Sequence, residues 1–107
     1  MGDHISTRVN SAKLAQFVGQ TVRLPCKVLR FQAETAMVES TDGGQVEVRL
    51  PKEHTIASTF VEVIGTVIDI SSIKLLGCIN LDENLDMKFV NDVIEVTFDP
   101  RFRKTMF

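Results

Sequence analysis

The sequence contains no tryptophan and no tyrosine, so its seven phenylalanines are its only aromatic residues. Protein faces that hold single-stranded nucleic acid usually stack bases on exposed aromatic rings within a basic groove. Few rings are available here for that purpose. This scarcity argues against a domain that grips a nucleic acid tightly on its own.

Positive charge is not in excess either. Twelve Lys and Arg face fourteen Asp and Glu, which gives a net charge of −2 and a pI near 5.6. Proteins that bind a phosphate backbone autonomously usually carry a basic face and a high pI. A local basic patch remains compatible with this balance, but autonomous nucleic-acid binding is disfavoured.

Cysteines and long apolar runs are also scarce. Cys26 and Cys78 each lie in an apolar run and form no CxxC pair, so we predict neither a metal site nor a disulfide framework. No stretch approaches the roughly 18 apolar residues of a membrane span. We therefore expect a soluble, intracellular protein with one domain over residues 1–107.

Signs of catalysis are missing from the sequence as well. His4 lies in a polar N-terminal arm and His54 in a loop, and neither has an implied partner. The pair Gly43-Gly44 lacks the Lys-Ser or Lys-Thr that completes a phosphate-binding loop. We predict no catalytic residue, no cofactor and no small-molecule substrate.

After Gly19, apolar residues recur at every second position, which is the period of half-buried strands. The alternation predicts five strands, at residues 22–31, 34–40, 46–50, 60–71 and 73–81. Thr41 to Gly44 predicts the turn of a hairpin. Residues 1–9 are interpreted as a polar arm, and residues 12–17 as a short helical turn capped by Asn10 or Ser11.

Two positions predict strong curvature of this sheet. Pro25 has no amide donor, so the first strand should bulge or bend there, and Gly65 marks a sharp bend or a close backbone approach. Such kinks allow a short sheet to close on itself. The predicted fold is all-β: a five-stranded oligonucleotide-binding (OB) barrel at about residues 20–81, with a short N-terminal helical turn and a C-terminal helix. A β-sandwich fragment or an SH3-like barrel has a similar pattern.

Residues 85–98 predict the C-terminal α-helix. Asp86 is a plausible N-cap, and Asp99-Pro100 is a typical helix end. At 100° per residue the polar side chains fall within one narrow wedge: Lys88, Asn91, Asp92 and Glu95. The competing interpretation is a strand, because apolar and polar residues alternate from position 94 to position 98.

The rest of this helix is apolar and divides into two stripes. The first, called here the 85 seam, consists of Leu85, Phe89, Val93 and Val96. The second, called the 87 seam, consists of Met87, Val90, Ile94 and Phe98. A helix that packs on one domain needs a single apolar stripe about 100° wide. We therefore predict that one seam packs on the barrel and that the other binds a partner.

The pattern does not distinguish which seam binds the partner, so all eight residues are candidates. We take the 87 seam as the trial docking surface, since its burial is worth on the order of 6–12 kcal/mol gross. A fully buried core helix without a partner is the alternative.

The chain resembles the smallest subunit of replication protein A, the eukaryotic heterotrimer that coats single-stranded DNA. Several segments carry this resemblance in order along nearly the whole chain. They are Arg8-Val9-Asn10, Leu14-Ala15-Gln16-Phe17 with Val22, Met37-Val38-Glu39-Ser40 with Asp42-Gly43, residues 61–67, and residues 85–98 with Asp99-Pro100.

The resemblance implies an OB barrel whose C-terminal helix bundles with one helix from each of two larger OB-fold subunits. It implies a non-catalytic scaffold subunit of a nuclear complex that acts in DNA replication, repair and recombination. Single-stranded DNA would then be held mainly by the partners.

Two other functions remain open at this point. One is a self-sufficient nucleic-acid-binding OB domain, for which Lys27, Arg30 and Phe31 are weak candidate DNA contacts. Phe31 is also interpreted as a rim residue that shields the barrel end. The other is the small OB subunit of a telomeric single-strand-binding complex, which pairs with one larger OB protein.

Overall fold

Alternating apolar side chains form the strands of a sheet that closes on itself. The structure is a computed structural model that describes residues 7–32, 34–51, 56 and 58–99. Six strands are present: β1 (Thr7–Arg8), β2 (Thr21–Phe31), β3 (Thr35–Ser40), β4 (Gln45–Arg49), β5 (Phe60–Asp69) and β6 (Ser72–Asn80). A 3₁₀-helix spans Ser11–Gln16, and the α-helix α1 spans Met87–Thr97.

The barrel is closed by β2, whose eleven residues serve two neighbours. The strand order is β2-β3-β4-β6-β5, and β5 pairs back onto β2. Residues 21–27 of β2 pair with β5, and residues 26–31 pair with β3. Only β4 and β6 pair in parallel within this barrel. The predicted fold class, a five-stranded OB-type barrel followed by a helix, is confirmed.

Inward-facing side chains of the five barrel strands form the core. Most of them are β-branched, which suits a pleated, strongly twisted surface. The fully buried members on the strands are Val22, Leu24, Cys26, Val38, Val46, Val48, Val61, Val63 and Ile73. Their cross-strand partners point to the same face of the sheet. The period of two in the sequence therefore correctly predicts the inside of the barrel.

Gly65 is the close backbone approach that the sequence predicts. A Cβ at this position would collide with the backbone oxygen of Lys74 and would stand 2.5 Å from Cγ2 of Ile73. The pairing of β5 with β6 changes register next to Gly65. The absence of a side chain therefore lets the backbone of β6 lie close to β5 at this position.

The predicted bulge at Pro25 is wrong. Pro25 pairs in register with Glu62 of β5. On the opposite edge, Pro25 lies between the end of the pairing with β1 and the start of the pairing with β3. No hydrogen-bond donor is required in that gap, so proline is tolerated without distortion. The register shift of β2 lies further along the chain, at Leu29.

The N-terminal segment is part of the domain and not only a polar arm. Thr7 and Arg8 form β1 and pair in parallel with β2. Val9 is fully buried, and its amide donates to the carbonyl of Arg23 at 2.8 Å. Gly19, with a φ of 86°, then turns the chain into β2. A strand of two residues is too short for an alternation to reveal.

The C-terminal segment is a helix, so the strand interpretation of residues 94–98 is wrong. Asp86 is the N-cap, and its carboxylate accepts a hydrogen bond from the amide of Phe89 at 3.0 Å. The bond satisfies one of the amides that has no partner in the first turn. The cap and the helical spacing of the polar residues prevail over the β propensity of valine and isoleucine.

Several sequence predictions lie outside the described residues. These concern His4, His54 and Pro100. Within the described ranges, no helix is long and apolar enough to cross a membrane. In the same part of the chain, no three His, Cys, Asp or Glu side chains are grouped as metal ligands would be.

Replacing Gly65 by alanine tests the close approach of β5 and β6. We expect Gly65→Ala to lower the free energy of unfolding by about 1–3 kcal/mol, because the new Cβ forces the two strands apart. Urea denaturation followed by circular dichroism measures the loss. Gly77→Ala is the matched control on β6, since a Cβ there meets nothing within 4 Å. Equal effects of the two substitutions would contradict this account.

Candidate functional site

The 87 seam of α1 faces the chain's own domain. Ile94 is only 1% exposed, Phe98 packs against the barrel core, and Met87 and Val90 are half-buried. Burial of this seam is what attaches the helix to the rest of the domain.

This placement corrects the trial docking surface. Ile94 and Phe98 pack on the chain's own domain, so these two are withdrawn from the candidate partner contacts. Met87 and Val90 are half-buried, and their assignment as partner contacts stays a prediction. Periodicity could not separate the two seams, because both have the same spacing and similar composition.

The 85 seam is the exposed one. Phe89, Val93 and Val96 are 64%, 44% and 49% exposed, and Leu85 is half-buried. Together with Asp92 and Thr97, the three exposed residues line an apolar hollow of about 300 Å³. Single exposed apolar residues are common on protein surfaces, but a contiguous stripe of them marks an interaction surface.

Two of the four polar residues in the wedge, Asn91 and Glu95, bind the domain. The side-chain amide of Asn10 donates to Oδ1 of Asn91 at 2.8 Å and to Oε2 of Glu95 at 2.7 Å. Thr41, in the turn between β3 and β4, donates to the same Oδ1 of Asn91 at 2.8 Å. Lys88 and Asp92, the other two members of the wedge, are exposed. The helix is therefore attached by polar contacts beside its apolar seam.

The 3₁₀-helix supplies the remaining anchors for the end of α1. Nζ of Lys13 lies 3.3 Å from Oε1 of Glu95 and 5.2 Å from the centroid of the Phe98 ring. Phe17 meets Phe98 edge to face, with ring centroids 5.9 Å apart. The hydrogen bond from Asn10, followed by the contacts with Lys13, lowers the pKa of Glu95 although desolvation opposes the shift.

The turn between β3 and β4 fixes this N-terminal segment in place. The carboxylate of Asp42 accepts hydrogen bonds from Oγ of Ser11 at 2.7 Å and from the amide of Ala12 at 3.0 Å. Desolvation opposes ionisation of Asp42, yet these bonds lower its pKa. Gly44 is required beside them, because a Cβ there would overlap Oγ of Ser11.

Glu62 is a second buried polar anchor. Its side chain is only 4% exposed and pairs with Arg8 at 2.6 Å and with Arg23 at 3.4 Å. The pair with Arg8 ties β1 to β5 across the outside of β2. Glu62 and Arg8 also line a hollow of about 130 Å³ with Leu85 and Val90, so the start of α1 lies over this ion pair.

Phe31 does not share a face with the other two candidate DNA contacts. Phe31 pairs with Ala36, which is buried inside the barrel. The register therefore directs Phe31 to the inner side, at the barrel end, where 42% of it remains exposed. This position agrees with the rim interpretation.

Lys27 and Arg30 lie on the outer face because the bulge at Leu29 intervenes between them. Acidic residues accompany both: Lys27 lies opposite Glu39, and Arg30 lines a hollow of about 220 Å³ together with Glu47. The outer face of the sheet therefore carries mixed charge and does not form a basic groove with aromatic platforms. The assignment of these residues to DNA stays a prediction.

Sequence reasoning missed the anchoring residues Asn10, Lys13 and Glu62. The partners of Glu62 and Asn10 lie 39 to 85 positions away in the chain, so no local pattern reveals them. Only the i, i+4 spacing of Asn91 and Glu95 indicated a common polar face.

Comparison with known proteins decides the family. The model of the family described as replication factor A protein 3 matches residues 1–101, which include the barrel and all of α1. The chain belongs to the replication factor A protein 3 family. The resemblance inferred from the sequence is confirmed.

Several relatives from this family match most of the chain. Replication factor A protein 3 of Schizosaccharomyces pombe is 30% identical over 88 residues, which cover 81% of this chain and 83% of that protein. A structure of U. maydis replication protein A bound to single-stranded DNA contains a chain that matches with a TM-score of 0.81 at 33% identity. That match covers 86% of this chain and 88% of the other.

A more distant likeness extends to a telomeric complex. A chain of the Stn1–Ten1 complex of S. pombe matches with a TM-score of 0.69 at 9% identity, over 88% of this chain and 92% of the other. At that identity the likeness shows the fold alone. The barrel and helix of the replication factor A protein 3 family therefore occur in proteins with little sequence in common.

The contact of Glu95 with Asn10 predicts a pH dependence of stability. The folded-state pKa of Glu95 lies below its ordinary value of 4.5, so ionised Glu95 stabilises the fold above that pH. This stabilisation is lost as the pH falls through the lowered pKa. We expect Glu95→Gln to lower the thermal midpoint at about pH 6 and to have a smaller effect at about pH 3.

Thermal unfolding at the two pH values measures the difference. Glu83→Gln, in the exposed loop before α1, removes the same charge away from Asn10 and is the control. A constant effect of Glu95→Gln at both pH values would contradict the role of ionised Glu95.

Proposed function

We propose that this protein is a non-catalytic scaffold subunit of a replication protein A-like complex. In this proposal α1 joins one helix from each of two larger OB-fold subunits in a three-helix bundle. The complex binds single-stranded DNA mainly through those partners and acts in replication, repair and recombination in the nucleus. The observation that carries the proposal is an anchored helix whose 85 seam is exposed, in a chain of this family.

Burial energies support two partner helices over one. The exposed parts of Phe89, Val93 and Val96 are worth on the order of 3 kcal/mol when buried, and a partner helix contributes a comparable amount. Association costs at least about 4 kcal/mol in lost translational and rotational freedom. A single helix pair is therefore marginal, whereas two partner helices that share the seam bury enough surface for a stable complex.

The outer face of the barrel supports indirect DNA binding. Lys27 and Arg30 share that face with Glu39 and Glu47, so its charge is partly compensated. Stacking contributes about 1–3 kcal/mol per base, and Phe31 alone gives too little for tight binding. The self-sufficient DNA-binding function is thus less well supported than the scaffold function.

Substituting aspartate into the 85 seam tests whether this seam is the assembly surface. We expect Val93→Asp combined with Val96→Asp to abolish co-purification with the two larger subunits, because each carboxylate would be buried without a partner in the bundle. Since both residues are about half exposed, circular dichroism should show an intact fold.

Leu76→Asp is the matched control, because Leu76 is an equally exposed apolar residue on β6. By contrast, Val90→Asp with Ile94→Asp should unfold α1 itself, since Ile94 is buried. A complex that survives the substitutions at positions 93 and 96 would refute the seam assignment.

DNA binding by the lone chain separates the scaffold from an autonomous binder. We expect an oligonucleotide to bind the isolated chain at least about a hundredfold more weakly than it binds the assembled complex, since one ring supplies little stacking energy. Fluorescence anisotropy at low salt measures both affinities. Tight binding that falls with salt and is lost in Phe31→Ala would instead support the autonomous function.

A further inference from the structure

We propose that Asn10 is a positioning residue that sets the rotation of α1, and so selects the seam that the helix presents to its partners. This inference rests on the proposed function, in which the 85 seam is the assembly surface. It assigns a role to Asn10, which lies in the N-terminal segment and contacts α1 away from the 85 seam. In this role Asn10 determines which seam of the helix is exposed.

Apolar burial alone does not choose the rotation. The 87 seam and the 85 seam each contain four large apolar residues at helical spacing. At 100° per residue their centres lie about 150° apart around the helix axis. Because the hydrophobic effect is non-directional, a helix rolled by that angle would bury a similar apolar area.

The hydrogen bonds of Asn10 remove this ambiguity. Asn10 is fully buried, and its one amide nitrogen donates to two acceptors on α1, Asn91 and Glu95. These acceptors are one turn apart on the helix, beside the 87 seam. A carboxylate only accepts hydrogen bonds, so the amide nitrogen of Asn10 has to face Glu95.

A rolled helix would leave the amide of Asn10 without acceptors. Asn91 and Glu95 would turn away from the barrel by the same ~150°, and apolar side chains would replace them over Asn10. A buried donor without a partner is costly. Thr41 also holds Asn91 in this orientation, since its hydroxyl donates to Asn91 from the turn between β3 and β4. Buried polar contacts of this kind fix register where apolar packing does not.

Thiol labelling at adjacent positions of α1 tests the rotation. Val93→Cys reports on the 85 seam, and Ile94→Cys reports on the 87 seam. Both are made in the full chain with Cys78→Ala, while Cys26 stays because it is fully buried. With Asn10 present, the cysteine at position 93 should react with a maleimide roughly tenfold faster or more, because position 94 reacts only on local opening.

Replacing Asn10 by leucine removes the donor and keeps the side-chain size. We expect Asn10→Leu to slow labelling at position 93 by roughly twofold or more and to accelerate it at position 94, as rolled helices become populated. A loss of stability alone would accelerate labelling at position 94 without slowing it at position 93. That result, with helical circular dichroism retained, would overturn the proposal.

Two further variants complete the test. Asn80→Leu makes the same substitution at an exposed position of β6 and should leave both labelling rates unchanged. If Asn10→Leu does not fold, Asn91→Leu removes one of the two bonds from the helix side and should slow labelling at position 93 and accelerate it at position 94. Unchanged rates in Asn91→Leu would also overturn the proposal.

The labelling uses no partner, so its outcome does not depend on the proposed function. If Asn10→Leu rolls the helix but the larger subunits still co-purify normally, the positioning role holds and the 85 seam is not the assembly surface. If the labelling pattern does not change and the seam variants lose the complex, the assembly surface holds without Asn10.

Discussion

The hydrogen bonds from the buried amide of Asn10 to Asn91 and Glu95 join two parts of the chain that lie more than 80 positions apart. The barrel closes without α1, because β2 pairs with both β3 and β5. The helix, in contrast, has two apolar seams and needs a contact that decides which one is covered. A directional polar contact supplies what non-directional apolar burial cannot.

The position of Asn10 is itself fixed by its neighbours in the sequence. Arg8 is held by Glu62 on β5, Val9 is hydrogen-bonded to β2, and Ser11 is held by the turn that contains Asp42. Three residues that flank Asn10 are thus tied to different parts of the barrel. This explains why a segment that contains only two residues of strand still supports the helix. Because the barrel positions Asn10, it also influences which surface α1 presents.

Most of the fold could be predicted from the sequence, because the barrel strands alternate and the helix has one compact polar wedge. Gly65 was identified correctly since a glycine within a strand has few other uses. Pro25 misled us because the sequence does not show that β2 changes neighbours at that position. The pairing of Asn10 with α1 and the choice between the two seams depend on contacts between distant residues, which no local period encodes.

The distribution of phenylalanine rings agrees with a division of roles between barrel and helix. Phe17 and Phe98 stack edge to face where α1 is anchored, while Phe89 is the most exposed residue of the 85 seam. The barrel contributes Phe31, which lies at its rim beside an outer face of mixed charge. A chain of similar fold is only 9% identical to this one, so the fold tolerates wide changes of sequence. Among the described rings, Phe17 and Phe98 serve the attachment of the helix and Phe89 serves its exposed face, an arrangement that suits the proposed scaffold subunit.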